Sequence, residues 1–249
     1  NEFSFNESYS IISLLEVFIT EENFLMRYGE VLPAEFIARP NRFIAHVRLR
    51  GEEVVCHVKN TGRCRELLQS GVQVWLERGT NPRRKTAYDL IAVRKGERLV
   101  NMDAQAPNKI FGEWAMCLEP GILSVKSEVF FEDSRLDFLL ETETGRHYVE
   151  VKGVTLESGG HARFPDAPTE RGVRHLHTLM RAVEQGHRAT VFFVVQMDDV
   201  LDFAPNDETH PAFGEALRQA ASAGVQVLAY SCHVTPEEVT MDRPVPVLL

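Results

Sequence analysis

From residue 31 to residue 103 apolar side chains alternate with polar ones over short runs, and each run stops at a turn residue. A period of two marks strands with one buried face. FIARP starts the series. RFIAHVRLRGEEVVCHVKN reads as a hairpin turned at Arg50–Gly51, VQVWLERG as a single strand, and AYDLIAVRKGERLVNM as a hairpin turned at Lys95–Gly96. Between the first hairpin and the single strand, GRCRELLQSG changes to helical spacing and is ended by Gly71. Three strands, a short helix and two more strands is the order of an OB-type barrel, although other small β-barrels share it.

Past Gln105-Ala106-Pro107 the rhythm changes. NKIFGEWAMCLEPG predicts a helix stopped at Pro120–Gly121, followed by strand SEVFFE and the hairpin SRLDFLLETETGRHYVEVKG. A Gly/Pro-rich loop is expected over 153–168. Thr169 then caps the helix ERGVRHLHTLMRAVEQG, which ends at Gly186. ATVFFVVQ is apolar almost throughout, as a strand buried on both faces must be. Helix PAFGEALRQAASAG and strand VQVLAYS close the series, and the order α-β-β-β-α-β-α-β predicts a mixed α/β domain. The expected organisation is an extension over 1–26, a barrel over 27–104 and an α/β domain over 105–249.

Charge sharpens this division. The chain of 249 residues has a net charge of −9, yet residues 1–26 hold five acids and no base, and residues 27–103 hold 15 Lys and Arg against 9 Asp and Glu. Only the barrel segment therefore offers general affinity for a polyanion. The four cysteines have no metal-ligand spacing, which suits a reduced cytoplasmic protein. No apolar run spans a bilayer, so no membrane partner is expected. YSIISLLEVFI near the start lacks the positive flank of a secretion signal, and the acidic residues 1–25 are expected to be dispensable.

The candidate chemistry lies in the hairpin. Glu150 and Lys152 share one face of their strand, because side chains alternate. A two-residue turn at Glu143–Thr144 sets Asp137 opposite Glu150, and a turn at Thr144–Gly145 sets it opposite Lys152. Either register gathers all three charges on one face. Two carboxylates and an ammonium suit divalent-metal-assisted phosphodiester hydrolysis: the acids hold Mg²⁺ or Mn²⁺ and the lysine offsets charge on the phosphate. The competing reading is a plain salt-bridge cluster.

The chain from about Arg27 onward resembles the sugar fermentation stimulation protein A family, through RPNRFIAHV, HVKNTGRCRELL, NPRRKT, SRLDFLL, YVEVKGVTL, FPDAPTERGVRHL and VFFVVQ. The resemblance implies two domains: an N-terminal OB-like DNA-binding barrel and a PD-(D/E)xK, restriction-endonuclease-like α/β domain with a mixed sheet. It maps that nuclease signature onto Asp137, Glu150 and Lys152, and adds Glu113 as a helix acid for the metal. A DNA-binding protein with a metal-dependent nuclease centre follows. The alternative is a non-catalytic DNA-binding regulator of sugar-metabolism genes. DNA is the implied partner; the residues do not separate it from RNA, single from double strand, or fix an oligomeric state.

Further candidates fall on loops and a helix start. Arg83, Arg84 and Lys85 form a basic loop in the only net-basic block. Asn60 and Arg63 flank the Thr61–Gly62 turn, whose backbone could hold a phosphate. Asp166, Arg171 and His175 sit around a helix N-terminus, where an anion is favoured. The plainer reading is that Asp166 and Thr169 cap the helix and that His175 is a satisfied interior histidine.

Overall fold

The computed structural model describes residues 25–249. Strands β1 (Leu25–Arg27), β2 (Val31–Asn41), β3 (Ile44–Leu49), β4 (Glu52–Val58), β5 (Gln73–Arg78), β6 (Tyr88–Lys95) and β7 (Arg98–Asn101) come first. The last six form one sheet in the order β4-β3-β2-β5-β6-β7, and parallel pairing of β4 with β6 closes it into a barrel. Its inward positions, among them Ala45, Val47, Cys56, Val74, Leu76 and Leu90, are buried. The first hairpin turns where expected, with Arg50 and Gly51 both at positive φ. In the second hairpin Lys95 pairs with Arg98, so the turn is Gly96–Glu97, one residue beyond the expected place.

GRCRELLQSG is not a helix. Cys64 takes φ 44°, and a single turn follows in which Leu67 and Leu68 donate to its carbonyl. Both leucines are buried, so their spacing reflects insertion into the barrel end and not a helical face.

The second domain contains α1 (Ala106–Trp114), β8 (Ile122–Phe131), β9 (Ser134–Thr142), β10 (Gly145–Val154), β11 (Leu156–Ser158), β12 (His161–Phe164), α2 (Glu170–Glu184), β13 (Arg188–Val195), β14 (Asp202–Pro205), α3 (Pro211–Ser222), β15 (Gln226–Val234) and β16 (Glu238–Pro244). Its sheet has the order β1-β16-β15-β13-β10-β9-β8, parallel at β10, β13 and β15 and antiparallel elsewhere. Phe111 of α1 meets Phe138 and Phe192 on one face, at ring separations of 5.0 and 4.9 Å. Helices α2 and α3 pack together on the other. The expected loop over 153–168 instead holds β11 and β12, which join β14 in a three-stranded sheet.

The first described residues belong to the second domain. Leu25–Arg27, at the edge of the expected extension, pairs with β16, and Met26 is buried beside α1. Residues 1–24, on which the expectations of dispensability and of no secretion signal bear, lie outside the described residues. Further ties join the domains: Gln196 donates to Asn101 Oδ1 at 2.8 Å, and Glu157 accepts from Lys95 at 2.7 Å and Arg98 at 2.9 Å.

Candidate active site

Thr142 pairs with Gly145, so Glu143–Thr144 is the turn, and the ladder runs on to Phe138 and Val149. Continued one step, that register sets Asp137 across from Glu150, the first of the two expected registers. Alternation along β10 turns Val149 and Val151 toward α1, leaving Glu150 and Lys152 on the α2 side. Beyond Phe138 and Val149 the two strands are no longer paired. Asp137 Oδ2 there accepts the Val151 N–H at 2.8 Å, standing in for a strand partner.

Asp137 Oδ1 accepts from Asn108 of α1, also at 2.8 Å. Burial, and then the negative charge of Glu150, nevertheless hold the Asp137 carboxyl above the usual range. Glu150 is 2% exposed. Lys152 Nζ and His175 Nδ1 both contact its Oε1, while the buried Oε2 has no partner among the described residues. Burial works against the Glu150 charge; the His175 hydrogen bond and the Lys152 charge outweigh it and hold the carboxyl low.

Helix α2 supplies the rest. Thr169 Oγ1 accepts from Gly172 N at 3.1 Å, as an N-cap should. Arg171 Nε donates to His175 Nε2 at 3.3 Å, one turn along. His175 is thus a satisfied interior histidine, and the group that satisfies it is Glu150. Asp166 does not cap: its carboxylate stands against Gly62 of the barrel, where an added Cβ would collide with it.

Other candidates are placed less simply. Glu113 and Asp137 line the same open cleft of about 380 Å³, and burial raises the Glu113 carboxyl. The α1 residue that touches Asp137 is Asn108, which the sequence reading did not single out; within NKIFGEWA only the fold marks it. Among the described residues no three of His, Cys, Asp and Glu come together as a ready metal group. In the basic loop Arg83 and Lys85 are exposed, but Arg84 grips Asp89 with both terminal nitrogens. Arg63 is exposed, while the Asn60 side chain accepts from Gly62 N at 2.8 Å and shapes the turn.

The chain matches two family models, the sugar fermentation stimulation protein RE domain over residues 105–238 and the SfsA N-terminal OB domain over 37–102. A sugar fermentation stimulation protein homolog of Desulfitobacterium hafniense is 54% identical over 218 residues, covering 86% of this chain and 94% of the relative. One from Clostridium beijerinckii is 46% identical, covering 90% of this chain and all of the relative. The solved structure of Pyrococcus furiosus SfsA in complex with Ca²⁺ superposes with a TM-score of 0.82 at 28% identity, over 90% of this chain and 98% of that one.

Proposed function

The chain belongs to the sugar fermentation stimulation protein family, and from that premise we propose a DNA-binding protein whose second domain hydrolyses phosphodiester bonds with Mg²⁺ or Mn²⁺. One observation carries the reading: Glu150 is a buried carboxylate with Lys152 and His175 both on one oxygen and no partner among the described residues on the other. A lone buried oxygen beside a second carboxylate is costly, and a divalent cation relieves that cost. Asp137 and Glu150 fit such an ion, with Glu113 as a third acid on the cleft wall. The Ca²⁺ complex of the Pyrococcus furiosus relative supports cation binding here.

When bound, the ion polarises a phosphate and acidifies a water. Lys152 offsets the negative charge that builds on the phosphate. His175 carries its proton on Nδ1, because Nε2 accepts from Arg171; it fixes the Glu150 carboxylate with Oε2 as the oxygen at liberty. The net-basic barrel, with Arg63, Arg83 and Lys85 exposed, holds the DNA. Four unpaired cysteines suit the cytosol, and no described helix is long and apolar enough to cross a membrane.

A second reading, a DNA-binding regulator without catalysis, draws support from the lack of a three-residue metal group among the described residues. One experiment separates the two. The protein is incubated with labelled single-stranded, duplex and branched DNA in EDTA, Mg²⁺ or Mn²⁺. Cleavage that requires metal supports the nuclease, and binding without cleavage in any arm supports the regulator.

A further inference from the structure

A second concavity lies on the barrel, outside the Glu150 cluster. It encloses about 690 Å³ between the end of β2 and the segment 61–70, and Arg39, Arg42, Arg63 and Arg65 line it. Arg39 is committed to the protein itself. Its guanidinium donates to the carbonyls of Asn60 at 2.6 Å, Arg42 at 2.7 Å, Gly62 at 2.9 Å and Arg63 at 3.1 Å, and so pins the 60–63 turn. Arg42, Arg63 and Arg65 are all exposed. None of the three pairs with a carboxylate among the described residues, unlike Arg27, Arg48, Arg78 and Arg84. With Arg39 spent on backbone carbonyls, the basic character of the groove rests on these three side chains, and the carboxylates of Asp166 and Glu66 are the acids near its Cys64 wall.

Phe43 is 51% exposed, with the Arg42 guanidinium 6.0 Å from its ring centre. Guanidinium groups that track phosphates, beside an aromatic face for a base, are what unpaired strands need from a small barrel. A duplex keeps its base faces stacked inside. The groove also continues: Thr61, Gly62 and Ala167 line both it and a pocket of about 290 Å³ between the domains. That pocket is walled by Gly153, next to Lys152, and by Thr169, the cap of the helix carrying Arg171 and His175.

We infer that this groove is a track for single-stranded DNA, with Arg42, Arg63 and Arg65 on phosphates and Phe43 against a base, leading toward the Lys152 end of β10. The inference rests on the proposed DNA-binding function and deepens it by naming an unpaired strand and its path.

The test is fluorescence anisotropy over a salt series with one labelled oligodeoxynucleotide, single-stranded and annealed to its complement. The full chain is compared with the triple variant Arg42→Ala, Arg63→Ala, Arg65→Ala, with Phe43→Ala and with Arg65→Ala alone. The wild type is expected to hold the single strand more tightly than the duplex. Three lost contacts should flatten the slope of log K against log salt by about 2, and one by about 0.7. Phe43→Ala should weaken binding about tenfold with the slope unchanged. A triple variant with wild-type melting temperature, affinity and slope overturns the track, as does an equal loss on duplex. A wild type that binds neither form overturns the DNA-binding function itself, a distinct result.

Discussion

Asp137 Oδ2 lies 2.8 Å from the backbone nitrogen of Val151, so one acid of the site is fastened to the strand that carries the other, Glu150. Both oxygens of Asp137 accept from donors, Val151 N and Asn108 Nδ2. Asp137→Asn can keep both contacts, because Asn108 can turn its amide over and offer its oxygen instead. The substitution also removes the repulsion from Glu150. The melting temperature of the metal-free variant should therefore equal or exceed that of wild type, while calorimetry shows divalent-ion binding lost and cleavage abolished. A variant that still binds the ion as wild type does would move the metal away from Asp137.

Lys152→Ala separates chemistry from architecture. The lysine contacts Glu150 Oε1, but His175 contacts the same oxygen, so the carboxylate is not stranded when the lysine goes. Stability should fall by less than the roughly 3–5 kcal/mol that an abandoned buried charge costs. Metal and DNA binding should persist, and hydrolysis should fall by about 10²–10³, the scale for losing one charge-stabilising donor. A melt that collapses in this variant, with a wild type that cleaves nothing in Mg²⁺ or Mn²⁺, would mark the cluster as a structural ion pair.

What was legible in the sequence was local. Arg50–Gly51 announces its hairpin because a two-residue turn needs positive φ, and both registers of the second-domain hairpin put Asp137, Glu150 and Lys152 together. What was illegible depends on distant partners. Strands β11 and β12 are short and gain their place only through β14, some forty residues on, so a Gly/Pro-rich stretch reads as loop. Arg84 looks like a phosphate ligand in a charge run, yet Asp89 on the barrel wall claims it. The leucines of RCRELL are spaced like a helix because they plug the barrel end.

The start of the chain allows a paired truncation. Residues 1–24 carry five acids and no base, which opposes a polyanion, so deleting them should leave the melting temperature unchanged and DNA binding as tight or tighter. Deleting three residues more removes β1, its pairing with β16 and the buried Met26 side chain. That second cut should cost at least about 2 kcal/mol from the methionine alone. Differential scanning of the two truncations checks both statements, and a large loss in the first would mean that the acidic segment contributes to the fold.

The clamp between the domains has its own pH signature. Glu157 is buried between Lys95 and Arg98 and also accepts from Gly160 N. Burial disfavours its charge, but the Lys95, Gly160 and Arg98 hydrogen bonds and the Lys95 charge prevail, lowering its pKa from 4.5 to about 2. A carboxyl depressed in the folded state gives stability that is complete above its unfolded pKa and is lost as pH falls through the folded one. The window here runs from about pH 4.5 down to about 2, and the linked stability is roughly 3 kcal/mol. Glu157→Gln should lose about that amount at pH 7 and flatten the wild-type decline across the window. Denaturant melts of both proteins between pH 7 and pH 2.5 read the difference directly. Parallel curves with the same low-pH decline would show that the Lys95–Glu157–Arg98 contact is solvent-screened and does not hold the domains together.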